Sequence, residues 1–176
     1  MTRSSLSALT LFLALGGGVA DAAQPAERRC DVNLNVTDQD PAGLNVRSAP
    51  SGPVVGVLKA RNAWVQVHVV GAAGDWLRID RGRLIGDALP GGEKRVFSSN
   101  GFVHVSKLGV ETLNPGGVLR ATPSEAARVV FKAPMDDAKI PKVVVLGCDG
   151  PFLQIRAGGV VGWTRDYCSN QYTTCA

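Results

Sequence analysis

Few side chains in the chain suit covalent or metal chemistry. Four cysteines (Cys30, Cys148, Cys168, Cys175) and two histidines (His68, His104) are the main nucleophile and ligand types in its 176 residues. The cysteines form no CxxC pair and have no histidine beside them, which argues against a zinc site or a cysteine nucleophile. Both histidines fall in strand-like runs at alternating positions, as solvent-facing residues would. Neither belongs to an HExxH motif or a nucleophile elbow. Asp136-Asp137 is a carboxylate pair, but it lies between Pro134 and Pro141 with Lys139 and Lys142 close by, and reads as a solvated loop. The doublets Gly91-Gly92, Gly116-Gly117 and Gly158-Gly159 suit hairpin turns and build no phosphate loop. No catalytic residue, metal or cofactor is expected.

Binding chemistry has better candidates. Trp64, Trp76, Phe102, Phe152 and Trp163 dominate an aromatic content of only 6%. Trp76 and Phe152 sit within alternating apolar runs and read as core. Phe102 and Trp163, each directly after a glycine, are candidates for a groove, and Trp64 for an exposed binding surface, because Trp and Arg carry interface energy. Arg47 and Arg120 are candidates for carboxylate capture, although an arginine in such a place can instead close a turn on carbonyls.

The elements that position these residues are short strands. The 21 glycines and 10 prolines favour tight turns. Alternating or β-branched runs at 32–36, 43–47, 54–58, 64–70, 76–80 and 101–105 predict strands. Residues 23–30 read as a polar leader. Residues 81–100, charged and glycine-rich, read as an inserted loop, and Ser124–Val129 as one helical turn. With 45% hydrophobic and 19% charged residues the composition is globular. A formal charge of +4 without a dense Lys/Arg cluster argues against a nucleic-acid partner.

The first residues read as an address. Arg3, the apolar run Leu6–Leu15 and Ala20-Asp21-Ala22 make a secretory signal peptide over 1–22. No other run is long enough to span a membrane, so none is expected once the signal is removed. Export favours disulfides for the even number of cysteines. Cys148 with Cys168 or Cys175 is the first pairing expected, the remaining one joining Cys30, with three connectivities open.

A repeat is visible. Leu44-Asn45-Val46-Arg47-Ser48-Ala49-Pro50-Ser51 returns as Gly117-Val118-Leu119-Arg120-Ala121-Thr122-Pro123-Ser124. Gly74-Asp75-Trp76-Leu77-Arg78-Ile79 returns as Gly150-Pro151-Phe152-Leu153-Gln154-Ile155, and Gly101-Phe102-Val103 as Gly162-Trp163-Thr164. Three segments in one order predict a duplication, 23–110 and 111–176. A sheet this small must curl to bury a face and its edges, which points to a small bent barrel.

The LNVRSAPS segment, the Gly-x-Trp-x-x-Ile strand and the Gly-aromatic strand resemble the bacterial SH3-like (SH3b) domain. The second copy is an ordered match, and the likeness spans about residues 32–168. Ala49 and Thr122 stand where the family pattern has glycine, and 81–100 is extra. The resemblance implies an all-β chain of two tandem small SH3-like β-barrels, the second with a disulfide-linked C-terminal tail. It implies a non-enzymatic envelope module, periplasmic or secreted, that binds peptidoglycan or short peptides. The alternative is a periplasmic module for an envelope protein, as inhibitor, immunity-type partner or assembly factor.

Overall fold

The computed structural model describes residues 26–59, 63–86 and 89–169. The expected signal peptide and Cys175 lie outside these residues. The described chain is all-β, as expected, with short 3-10 turns and no α-helix among the described residues. Its strands are β1 (Arg28–Val36), β2 (Leu44–Arg47), β3 (Val54–Leu58), β4 (Trp64–Ala73), β5 (Trp76–Ile85), β6 (Glu93–Phe97), β7 (Gly101–His104) and β8 (Leu108–Gly109). There follow β9 (Thr112–Leu113), β10 (Val118–Arg120), β11 (Val129–Lys132), β12 (Val143–Asp149), β13 (Phe152–Ala157), β14 (Val160–Thr164) and β15 (Tyr167–Cys168).

One sheet runs β3-β2-β7-β5-β4-β1-β8, with β6 added on β5. A second runs β11-β10-β14-β13-β12, and β9 pairs with β15. Neither ladder closes on itself, so the two barrels expected from sequence are open sheets at the level of hydrogen bonding. The edge of the second is covered rather than closed: a parallel bridge joins Cys30 to Gly150, and Asp31 N donates to Gly150 O while Gly150 N donates to Arg29 O, both at 2.8 Å. Covering an exposed edge is the usual alternative to closure.

The alternation seen in the sequence decides which face is buried. Leu77, Ile79, Val103 and Val46 point inward in the first half, and Leu153, Ile155 and Leu119 in the second, all with essentially no exposed surface. Together with Val32 and Leu34 of β1, both sets belong to one core cluster. Each such side chain contributes about 1.5–3 kcal/mol on burial.

The two halves repeat the same pairings at corresponding positions. Arg47 pairs with Phe102 and Arg78 with Phe102; Arg120 pairs with Trp163 and Gln154 with Trp163. Gly71 pairs with Arg78 next to a bulge after Val69, and Gly147 with Gln154 next to a bulge after Val145. Gly74 (φ 58°) and Gly150 (φ 52°) occupy the same left-handed turn position, where a side chain is disfavoured.

Four expectations are corrected. Arg28–Cys30 is no leader but the start of β1, held by β4 through Arg28–Ala72 and Arg29–Gly71 pairing. Over Ser124–Val129 no helix forms: residues 124–127 make a turn, with Ala127 N donating to Ser124 O at 3.0 Å, and Val129 already opens β11, because the segment is too short to repay helix nucleation. Cys148 pairs with Cys30, across 118 residues, and not with Cys168 or Cys175. Sequence proximity misled here: the bridge between β1 and the β12–β13 turn sets Cys30 beside Cys148. Cys168 is also in a disulfide. Residues 81–85 continue β5, and β6 folds back on them through Gly82–Phe97 and Ile85–Glu93 pairing.

Candidate functional site

Side chains paired directly across strands share one face of a sheet. On the face turned away from the core, the first half therefore carries the row Gly71–Arg78–Phe102–Arg47, and the second the row Gly147–Gln154–Trp163–Arg120. Two residues along, Trp76 pairs with His104; in the repeat these positions are Phe152 and Arg165. The structure thus brings Phe102 and Arg47 together, brings Trp163 and Arg120 together, and places Trp64 apart from both.

Arg47 and Arg120 close turns. Arg47 Nη1 donates to Gly52 O at 2.7 Å, and Arg120 Nη1 to Ala127 O at 3.1 Å. Arg120 also pairs with Glu125 at 3.3 Å. The turn-closing alternative is thus seen in both copies, with Arg120 also on the Glu125 carboxylate, and the bulges after Val46 and after Leu119 lie beside these guanidinium groups.

The two outer faces differ in what covers them. The N-terminal segment runs between the halves, and successive residues of an extended chain point to opposite sides. Glu27 lies over Gly71, where any Cβ would collide with its carboxylate. It accepts from Arg78 Nε at 2.5 Å, while Arg78 Nη1 donates to Asn100 Oδ1 at 3.1 Å. Arg28 lies over the equivalent Gly147, with Nη2 3.2 Å from where a Cβ would be. Its guanidinium sits 5.6 Å from the Trp163 ring centre, and that of Arg165 sits 5.9 Å from Phe152. Trp163 and Phe152 are in consequence only 8% and 7% exposed.

The first-half face remains open. Trp76 and Phe102, both half-buried, line a cleft of about 500 Å³ with Glu27, Pro50, Ala73, Gly74 and Asp75. His104 meets Trp76 edge to face, with ring centres 5.3 Å apart. This volume lies within the 300–1,000 Å³ range typical of ligand sites, and its walls combine aromatic rings with a few polar groups. Sequence reasoning placed Phe102 here but took Trp76 for core. It missed Glu27, Pro50 and Asp75. The signal present was the register: Trp76 is two residues from Arg78, and a charged residue in an alternating strand marks the outward parity.

The remaining candidates fall elsewhere. Trp64 is 43% exposed and borders a separate groove of about 560 Å³ with Asp38, Asp40, Pro41 and Lys59. His68 is no free solvent-facing residue. Its Nδ1 lies 2.7 Å from Asp80 and its Nε2 2.9 Å from Asp31, beside a polar pocket of about 220 Å³ with Gln66, Arg81, Arg83, Glu93 and Arg95. Asp136 caps a short turn through Ala138 N and pairs with Lys139, as a solvated loop would. No group of metal-binding side chains occurs among the described residues, and no helix among them is long and apolar enough to cross a membrane. Tyr167 packs the tail against β1: burial pushes its phenol up to about 12, with Asp31 adding and a backbone hydrogen bond with Asn33 and the Arg165 charge opposing.

No family model and no curated protein matches the chain. The solved structure titled "Structure of NlpC1 from Trichomonas vaginalis" is similar to it at 14% identity with a TM-score of 0.33, over 92% of this chain and 51% of that one. The chain thus spans about half the length of that protein.

Proposed function

We propose that the protein is an exported recognition module of two SH3-like units, and that it binds a short peptide, such as the stem peptide of peptidoglycan, in the Trp76–Phe102 cleft. The carrying observation is the asymmetry of the repeat. One aromatic groove is filled by the chain's own Arg28 and Arg165, and its twin stands open at about 500 Å³. The reading makes the first half the binding unit and the second its support, joined through β1 and the Cys30–Cys148 bridge. That bridge and the leader-like residues 1–22 support export.

A second reading, a protein partner in the envelope, is favoured by β3. This edge strand exposes Val54, Val55 and Val57, and unpaired strand edges accept a strand from another chain. Retention of the oxidised chain 23–176 on purified peptidoglycan, run beside an envelope extract, tests the two. Retention on the polymer that is lost in Trp76→Ala supports the cleft. Stoichiometric capture of one protein with no retention on the polymer overturns the wall reading.

A further inference from the structure

Resting on the peptide-cleft reading, we propose that the Trp76–Phe102 cleft selects a basic side chain of the peptide, an ammonium or guanidinium group, with Asp75 as its counter-charge.

The second half shows what chemistry this groove takes. Its equivalent position, over Gly147 and against Trp163, holds the guanidinium of Arg28. Aromatic faces attract such cations, more strongly as water is excluded. In the first half the corresponding position over Gly71 holds the Glu27 carboxylate instead; no cation stacks on Trp76 or Phe102 among the described residues, and Phe102, the twin of Trp163, is only half-buried.

The charges around the cleft agree. Two carboxylates line it, Glu27 and Asp75. The nearest guanidinium groups are committed: Arg78 to Glu27 and Asn100, Arg47 to the Gly52 carbonyl. Glu27 thereby offsets the charge of Arg78, and Arg47, which keeps its charge on the Gly52 carbonyl, does not line the cleft. Asp75 is exposed, and no described residue pairs with its carboxylate. The repeat has Pro151 in its place, in the groove that already holds a guanidinium. An acidic ligand group would meet both carboxylates, and among the described residues no guanidinium lines the cleft.

The test uses three blocked tripeptides, identical except for a central Lys, Nε-acetyl-Lys or Glu, titrated into oxidised chain 23–176. Affinity is read by calorimetry and position by the Trp76 indole signal in NMR. The Lys peptide should bind tightest and move Trp76. Acetylation should weaken it by about 2- to 30-fold, the span expected of a cation–π contact. Asp75→Asn, a surface change that leaves the fold intact, should weaken the Lys peptide by about 1.5- to 5-fold and leave the acetylated one unchanged. Equal binding of Lys and acetyl-Lys peptides at Trp76, or tightest binding of Glu, overturns the charge selectivity while the peptide cleft stands. Failure of all three to move Trp76 overturns both.

Discussion

Removing the bridge between the halves should cost more than any single core contact. In Cys30→Ala/Cys148→Ala the other disulfide is left in place and only the link from β1 to β12 is lost. The closed loop spans 118 residues, so the chain-entropy relation gives a loss of about 5 kcal/mol. For a domain of this size each kcal/mol lowers Tm by about 2–4 °C, so a fall of about 10–20 °C is expected. Cys148 is fully buried and Cys30 nearly so, so loss of packing adds to the effect. Urea denaturation of the oxidised protein and the double variant, followed by tryptophan fluorescence and circular dichroism, measures it. A loss below about 1 kcal/mol, far under the 2–5 typical of a native disulfide, would refute the view that β1 is tied into both halves.

Other outcomes follow from the same contacts. Gly162→Ala places a Cβ 2.7 Å from Leu119 Cβ and 3.0 Å from Arg120 O; chemical denaturation should register a loss of about 1–3 kcal/mol, and Gly101→Ala, facing Val46, a similar one. Arg47→Met removes a charge-assisted bond to Gly52 O and should cost about 1.5–3 kcal/mol of stability while the folded protein keeps its peptide affinity; loss of affinity without loss of stability would restore carboxylate capture. Tyr167 has a phenol raised from 10.0 to about 12. Its contribution is therefore complete below pH 10 and lost as pH rises through 12, about 2–3 kcal/mol in all. Alkaline unfolding of Tyr167→Phe should lack that loss. Trp64→Ala, at a position 43% exposed, should cost less than the about 3–5 kcal/mol of a buried aromatic and leave the Trp76 signal unmoved.

The strands were legible because period-two alternation is a local property: Leu77-Arg78-Ile79 shows its buried and exposed sides within three residues. The repeat was legible for the same reason, since Arg47 and Arg120 precede equivalent turns and meet equivalent aromatics. Long-range placement was not. Nothing local in Glu27-Arg28 states that one side chain covers Gly71 and the next Gly147. The Cys30–Cys148 pairing depends on the same threading of β1 between the halves, and so did the misassigned leader. An aromatic in an apolar run suits either face, so the run alone assigns Trp76 to the core. Only its pairing with His104 and its parity with Arg78 turn it outward.

The three tryptophans report separately on the account: Trp76 lines the open cleft, Trp163 lies under Arg28, and Trp64 borders its own groove. The most direct measurement is an NMR titration of the oxidised chain 23–176 with a soluble peptidoglycan stem peptide, following the three indole signals. Saturable movement of Trp76, with Phe102 and Asp75 amides, is expected, while Trp163 and Trp64 stay in place. Movement of Trp163 or Trp64 with Trp76 unchanged would contradict it.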